Sequence, residues 1–580
     1  MKEKIVKILE DTAGRKASLI DVFVPERENF GHYSTNVAMR LGGAEERSEE
    51  PLARAERLAA KVAKAAPAGF FEKVEAVPPG FVNFWLSKKT TQEEFQKIVR
   101  DARFGTGEAM KGKTVMVEFT DPNPFKLFHI GHLMSNTVGE SFACLYEAAG
   151  AKVIRANYQG DVGLHVAKAV WGMEEMSKQH REKKLPGENA PLAEKIAFLG
   201  DAYAFGARAY EDQSDAKKQI ETVNEAIYRR TNAAVNQLYD AGLRWSLAYF
   251  ETIYKRLGTK FDRYFFENEM GEKGLALVRA RRDIFKESDG AIVFHGEEYG
   301  LHTRVFVNSR GLPTYEAKEL GLNTKKFELY PLDLSVIVTG NEIVDYFRVL
   351  LKAMELVAPE IAAKTRHVPH GMLRLATGKM SSRTGEVVTA ESLLEQAKEK
   401  IRERMTAAEG KSAAEREEIA EAVAIGAVKY SILKQNPGQD IAFDFDKSLS
   451  FEGDSGPYVQ YAYARLASIL RKAGMVPPAS DADADADAAR LDSELELAVI
   501  RKIMEFPDVV SHAAERHLPS GVAAYLYKFA SLVNRFYETT PVLKEKDAAR
   551  RNARLALVRV ASEVLIKGLA LLGVRAPEKI

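Results

Sequence analysis

The chain has 580 residues, 46% of them apolar, and 83 Lys plus Arg against 82 Asp plus Glu, a net charge of +1. Such a length suits about three or four domains with packed cores, and the balanced charge excludes a protein that meets nucleic acid through a global basic field; only local patches can serve. A single cysteine, Cys144, argues against disulfides or a cysteine zinc site, and no run of about 18 apolar residues marks a membrane span, so a soluble cytosolic protein is expected.

Residues 1 to about 108 read as a separate α+β domain. Met1 to Ala13 predicts a helix. Phe30-Gly31-His32-Tyr33-Ser34-Thr35-Asn36 is a turn leading into another helix, and Phe81 to Ser87, after the Pro78-Pro79-Gly80 breaker, alternates like an edge strand.

The central stretch follows. Val115 to Phe119 predicts a buried strand, Thr120 to Phe128 a loop, and His129-Ile130-Gly131-His132 opens a helix whose Leu133, Val138, Phe142, Leu145 and Ala149 recur at helical spacing up to Gly150. A second strand runs from Val153 to Tyr158. Two parallel strands joined by a helix cross right-handed, and ligands of such sheets bind beyond the carboxyl ends of the strands. His129 and His132 share one face at a helix start, beside backbone N–H groups that favour an anion. Gly131 leaves room for a flat base to lie on the backbone, and Lys126 adds a cation. The set suits a nucleoside triphosphate attacked at its α-phosphorus, where catalysis needs positioned donors rather than a nucleophile. Two histidines three apart are, by themselves, more often residues without chemistry.

The longer string from Glu118 to His132 resembles the first signature of the class I aminoacyl-tRNA synthetases, in the form of the arginyl-tRNA synthetases. That resemblance implies ATP on His129, Gly131 and His132, and arginine on Glu118, Phe119, Thr120, Asp121, Pro122, Asn123 and His129. The strings around residues 30–40 and 81–87 are similar to the family's N-terminal appended domain, which implies tRNA contact for Tyr33, Asn36 and Asn83.

From about 163 to 257 the chain reads as helical and rich in Ala, Glu, Lys and Tyr, too long for a simple crossover and so an insertion with a solvated charged face. Ala291 to Phe294 and Thr303 to Val307 are expected to resume the parallel sheet. Tyr315 and Glu319 stand four apart on a predicted helix, where a ring and a carboxylate together suit a guanidinium; the resemblance assigns them to the arginine side chain. Glu319 stands where the family usually has Asp, and Ile343 where it usually has Gln, so either Glu342 substitutes for that amide or the pocket differs locally. Gly378-Lys379-Met380-Ser381-Ser382-Arg383 resembles the second class I signature, a loop able to close over a triphosphate, with Lys379, Met380, Ser381 and Ser382 on ATP. Ser382 replaces the usual second lysine, and Lys126 is the cation this family uses instead.

From about Ala390 the pattern is helical to the end, broken by the acidic low-complexity run Asp481 to Asp487. Tyr458, Gln460, Tyr461 and Arg465 lie in a string similar to the family's anticodon-binding bundle, where aromatic faces and a cation suit unpaired bases.

The expectation is an α/β class I Rossmann-like catalytic domain at 109–389 with its helical insertion, an appended domain at 1–108 and an all-α anticodon-binding domain at 390–580. The implied activity is arginyl-tRNA synthesis from L-arginine, ATP and arginine tRNA, with His129, His132, Lys126 and Lys379 catalytic, Mg²⁺ carried with ATP and no protein metal cage, in a monomer without membrane contact. A small-molecule nucleotidyltransferase would share the histidine motif but need no bundle after 390. A catalytically inactive tRNA-binding paralogue would keep the bundle and lose the site.

Overall fold

A computed structural model describes residues 1–14, 16–40, 50–179, 184–376, 389–405, 412–475 and 487–580. The N-terminal unit holds α1 (Lys2–Ala13), β1 (Val22–Phe23), β2 (Tyr33–Thr35), α2 (Val37–Arg40), α3 (Pro51–Ala65), β3 (Phe71–Val77), β4 (Phe81–Leu86) and α4 (Lys88–Val99). Its antiparallel sheet has the order β1-β2-β4-β3. The segment expected at an edge is therefore an inner strand. Its alternation is overridden because Val82, Asn83, Phe84 and Leu86 are all buried, with β2 on one side and β3 on the other.

The next unit runs β5 (Thr114–Glu118), α5 (Ile130–Ala148), β6 (Lys152–Gln159), α6 (Leu164–Gln179), α7 (Leu192–Asp212), α8 (Ser214–Arg229), α9 (Ala233–Leu257), β7 (Arg263–Phe266) and α10 (Glu267–Ala280). It continues through β8 (Lys286–Ser288), β9 (Ala291–Phe294), β10 (Arg304–Val307), α11 (Tyr315–Leu329), β11 (Leu334–Gly340), α12 (Val344–Val357), α13 (Pro359–Lys364) and β12 (Thr365–His370). A parallel five-stranded sheet of order β12-β11-β5-β6-β7 forms its centre. Strand order reverses between β5 and β11, the switch point at which such sheets open a ligand crevice.

Residues 291–307 do not belong to this sheet, contrary to expectation. They form an antiparallel β10-β9-β8 sheet, because the short link between β9 and β10 permits a hairpin but not the helical crossover a parallel pair requires. The second half of the parallel sheet is β11 and β12. Helices α6 to α9 fill the insertion expected over 163–257.

The C-terminal part holds β13 (Leu373–Leu375), α14 (Ala390–Arg404), α15 (Ala413–Leu433), β14 (Ile441–Phe443), α16 (Phe445–Ser448), α17 (Gly456–Lys472), α18 (Glu494–Arg516), α19 (Pro519–Thr539) and α20 (Ala548–Leu571). Only the short β14, paired in parallel with β13, interrupts the helical run among the described residues. The bundle packs on α5 and on the end of α9: Ser141 Oγ of α5 donates to Leu571 O at 2.8 Å, and buried Lys429 of α15 donates to Leu257 O of α9 at 2.6 Å and to Gly573 O at 2.8 Å. One apolar core accordingly runs from Ile5 through Leu133 and Phe250 to Leu565. Among the described residues no helix is long and apolar enough to cross a membrane.

Glycines set the approach of α10 to α11, which flank the crevice. A Cβ at Gly274 would lie 1.7 Å from Ala317 O, and one at Gly321 2.4 Å from Met270 O. Overpacking so close a backbone contact costs about 3 kcal/mol or more. Gly274→Val is therefore expected to lower the urea midpoint of unfolding clearly. An unchanged midpoint would mean that the helices do not need this contact.

Candidate active site

The loop after β5 is held in an unfavourable backbone shape. Thr120, Asp121 and Phe125 have φ of 81°, 44° and 67° without being glycine, conformations that persist only where surrounding contacts over-determine them. Those contacts are present. Thr120 N–H donates to Ser135 Oγ at 2.8 Å, Asn136 Nδ2 to Thr120 Oγ1 at 3.0 Å, Tyr158 N–H to Asp121 Oδ1 at 2.8 Å and Phe125 N–H to Ser246 Oγ at 2.9 Å. The Phe125 ring closes over Gly242 of α9, where a Cβ would stand 2.2 Å from it. The insertion thus braces the loop.

At the start of α5 the rings of His129 and His132 stack, with centroids 3.6 Å apart and planes at 23°. His129 Nδ1 accepts the N–H of Gly131 at 3.1 Å, and His132 Nδ1 accepts that of His129 at 3.3 Å. With both Nδ1 atoms accepting, each neutral ring carries its proton on Nε2, as a donor. Neutrality is favoured. Burial, then the Lys126 charge, lowers the His129 pKa, and burial, His129 and Lys126 push that of His132 well down. Gly131 serves this stack directly, since a Cβ there would meet the His129 ring at 2.9 Å.

A cleft of about 450 Å³ opens beside the pair at the switch point. Thr120, Asp121, Asn123, His129, Gly131, His132, Tyr315 and Glu319 all line it. Three expected residues stand behind its wall instead. Glu118 is buried in an ion pair with Lys326 at 2.6 Å, Phe119 packs on Phe261 and over Gly139, and Pro122 is buried. Lys126 is not among the lining residues either; its ammonium stands over the Tyr203 ring of α7. Glu342 and Ile343 do line the cleft.

The sequence reading missed Glu267, Tyr158 and Tyr346, which also line it. Glu267 follows directly on β7, and its place beyond the carboxyl end of a parallel strand was the available signal. It pairs with buried Lys318 at 2.7 Å. The hydroxyls of Tyr158 and Tyr346 are buried and have no hydrogen-bond partner among the described residues, which leaves them for a polar ligand.

Glu118, Asp121, Glu267 and Glu319 gather in this interior with the ammoniums of Lys318 and Lys326. Burial, then the neighbouring Glu118, raises the Asp121 pKa well above the usual carboxylate range and pushes Glu319 up to about 8, while Lys326 opposes both shifts. Burial raises Glu267 too. This excess of acidic groups over ammoniums suits a cationic ligand.

The 377–388 stretch, with Lys379, Met380, Ser381 and Ser382, lies outside the described residues, as does 476–486, which takes in the acidic run up to its last residue, Asp487. Thr389, just beyond the first of these, bridges to His129. Among the described residues no three His, Cys, Asp or Glu side chains gather as a metal site.

Of the residues expected on RNA, Tyr33 is 3% exposed, Asn83 1% and Gln460 0%. Asn83 Oδ1 accepts from Ser34 Oγ, and Gln460 Nε2 ties α17 to Ala422 O and Arg575 O at 3.2 and 2.6 Å. All three side chains are buried, and those of Asn83 and Gln460 are engaged inside their own domains. Asn36 is half-buried. Tyr458, Tyr461 and Arg465 line an open groove of about 660 Å³ with Phe451, Arg535 and Ile580, and the Arg465 guanidinium lies over the Tyr461 ring at 4.6 Å.

A parallel sheet with this histidine pair at its switch point, joined to a helical bundle, defines a class I aminoacyl-tRNA synthetase, and residues 94–445 match the family model of the class I (R) tRNA synthetase catalytic domain. Residues 1–86 match the arginyl-tRNA synthetase N-terminal domain and 459–580 the DALR anticodon-binding domain. The chain is 31% identical over 524 residues to the arginine–tRNA ligase of Porphyromonas gingivalis, covering 87% of each, and 30% identical over 529 residues to that of Clostridium acetobutylicum, covering 90% of each. The chain belongs to the arginyl-tRNA synthetases. Its structure is similar to that of the Thermus thermophilus arginyl-tRNA synthetase, with a TM-score of 0.80 and 26% identity over 100% of this chain and 99% of that one. The Plasmodium falciparum enzyme shares the fold, at a TM-score of 0.78 and 20% identity over 100% and 99%.

Proposed function

We propose that this protein joins L-arginine to arginine tRNA at the expense of ATP. The arginine carboxylate attacks the α-phosphorus and pyrophosphate leaves; the terminal adenosine hydroxyl of the tRNA then attacks the arginyl carbonyl and AMP leaves. The observation that carries the reading is one cleft lined both by the neutral Nε2–H donors of His129 and His132 and by the carboxyl groups of Asp121, Glu267 and Glu319.

In this reading the histidines hold the triphosphate as charge moves onto the leaving pyrophosphate, and Lys126 adds a positive charge there. Lys379, Met380, Ser381 and Ser382 close over it, consistent with the bridge from Thr389 to His129. Mg²⁺, carried with ATP, would supply further positive charge for the phosphates, with no residue of this chain assigned to hold it. Asp121 and Asn123 hold the α-amino and carboxylate end of arginine, while Tyr315, Glu319 and Glu267 take the guanidinium. Glu118, Phe119 and Pro122 act from behind the wall. Asn36, Tyr458, Tyr461 and Arg465 contact tRNA, the last three in the groove of the bundle. Residues 1–108, 109–389 and 390–580 are its working units, in a cytoplasmic monomer.

ATP–pyrophosphate exchange measured over the twenty amino acids, with and without total tRNA, tests this. Exchange with arginine alone is expected. No exchange with any amino acid would leave a tRNA-binding protein without the activation step.

A further inference from the structure

The insertion carries an aromatic ring to Lys126, a cation whose charge reaches both histidines of the pair. Lys126 Nζ lies 5.1 Å from the ring centre of Tyr203 on α7, and no carboxylate pairs with Lys126 among the described residues. The choice of ring matters chemically. A carboxylate partner would cancel the ammonium charge, whereas a ring face orients it and leaves it available to a phosphate.

Tyr203 is also held rigidly. A Cβ at Gly172 of α6 would stand 2.0 Å from Ala202 O, and one at Gly206 of α7 2.0 Å from Lys168 O. These reciprocal backbone contacts flank Tyr203 and fix the register of α7 on α6, and the Trp171 and Phe205 rings stack alongside at 5.8 Å and 14°. Helix α6 in turn begins just past Gly160, which lines the cleft. His165, near its start, donates from Nε2 to Gly160 O at 2.9 Å. Ring and cleft are thus built on one frame.

We propose that Tyr203 is a positioning residue for the activation step: its ring holds Lys126 within reach of the triphosphate, so that the insertion forms part of the activation site. This deepens the reading above and rests on it. Tyr203 touches neither substrate nor reacting atoms; it acts through Lys126.

The test is a double-mutant cycle in arginine-dependent ATP–pyrophosphate exchange. Tyr203→Ala is expected to lower kcat about tenfold with the KM for arginine unchanged, since a partly desolvated cation–ring contact is worth about that factor. Tyr203→Phe, which keeps the ring, should stay within about twofold of the parent, and Tyr203→Leu, which keeps bulk without a ring, should resemble Ala. In a Lys126→Ala background, Tyr203→Ala should add almost nothing. The assignment falls if Tyr203→Ala leaves kcat intact, if Leu works as well as Phe, or if the loss persists undiminished without Lys126. A parent protein without arginine-dependent exchange overturns the functional reading itself, a different and separable failure.

Discussion

Glu319→Gln is expected to raise the KM for arginine about 10²-fold or more with a smaller effect on kcat, because truncating one member of a buried charged pair costs about 2–5 kcal/mol. Glu319 lines the cleft four residues after Tyr315 on α11, surrounded by Glu118, Asp121 and Glu267 and opposed by Lys326. Its pKa is pushed up to about 8, first by burial and then by Glu118. In the unliganded protein near neutral pH it therefore holds a proton, and the guanidinium must displace that proton to meet a carboxylate. The sign follows. The KM for arginine should fall as pH rises toward 8 and level off above it, and Glu319→Gln should remove that slope. Asp121 titrates with Glu319, so the profile belongs to the pair. Stability of the unliganded protein runs the other way. A carboxyl whose folded pKa exceeds its unfolded value favours the fold at low pH, and that contribution is lost as pH rises through the unfolded value toward 8. Arginine should restore part of it. A flat KM profile in the parent protein, measured from about pH 6 to about 9, would remove Glu319 from guanidinium recognition.

Local spacing carried as much of this site as it could. His129 and His132 are three apart, so a helix start alone brings their rings together, and Tyr315 and Glu319 share a face for the same reason. Lys326 follows Glu319 by two turns of α11, so those two share a face, but no periodicity announces that Glu118 and Glu267, from another strand and another helix, meet them. Strand assignment failed in the same way at 291–307: the β-rich composition was legible, but which sheet receives a strand depends on connections, not on the strand. The inner position of β4 was hidden because alternation reports the faces of a strand and not its neighbours along the sheet. Tyr203 was one tyrosine among several in a helical insertion. Only the fold shows that it lies under Lys126.

Lys326→Met should cost about 3–5 kcal/mol of folding stability, the usual result of stranding one member of a fully buried ion pair. Glu118 and Lys326 are both essentially inaccessible, with their charged atoms 2.6 Å apart. Without the ammonium, the buried Glu118 carboxylate stands uncompensated among Asp121, Glu267 and Glu319. The acidic end loses a cation that lowers the pKa of both Glu319 and Asp121, so both rise further. The variant should bind arginine less well at neutral pH and recover on raising the pH, whereas Glu319→Gln should not recover. Pairing Lys326→Met with Glu118→Gln removes both charges and should regain most of the lost stability, since a buried pair is worth little more than well-packed neutral groups of the same volume. Urea unfolding of the four proteins in this cycle measures the coupling. A single-variant loss below about 1 kcal/mol would place water or another counter-charge beside Glu118. A double variant no more stable than Lys326→Met would mean that Lys326 stabilises α11 by its packing, and that the acidic cleft does not depend on this pair for its charge.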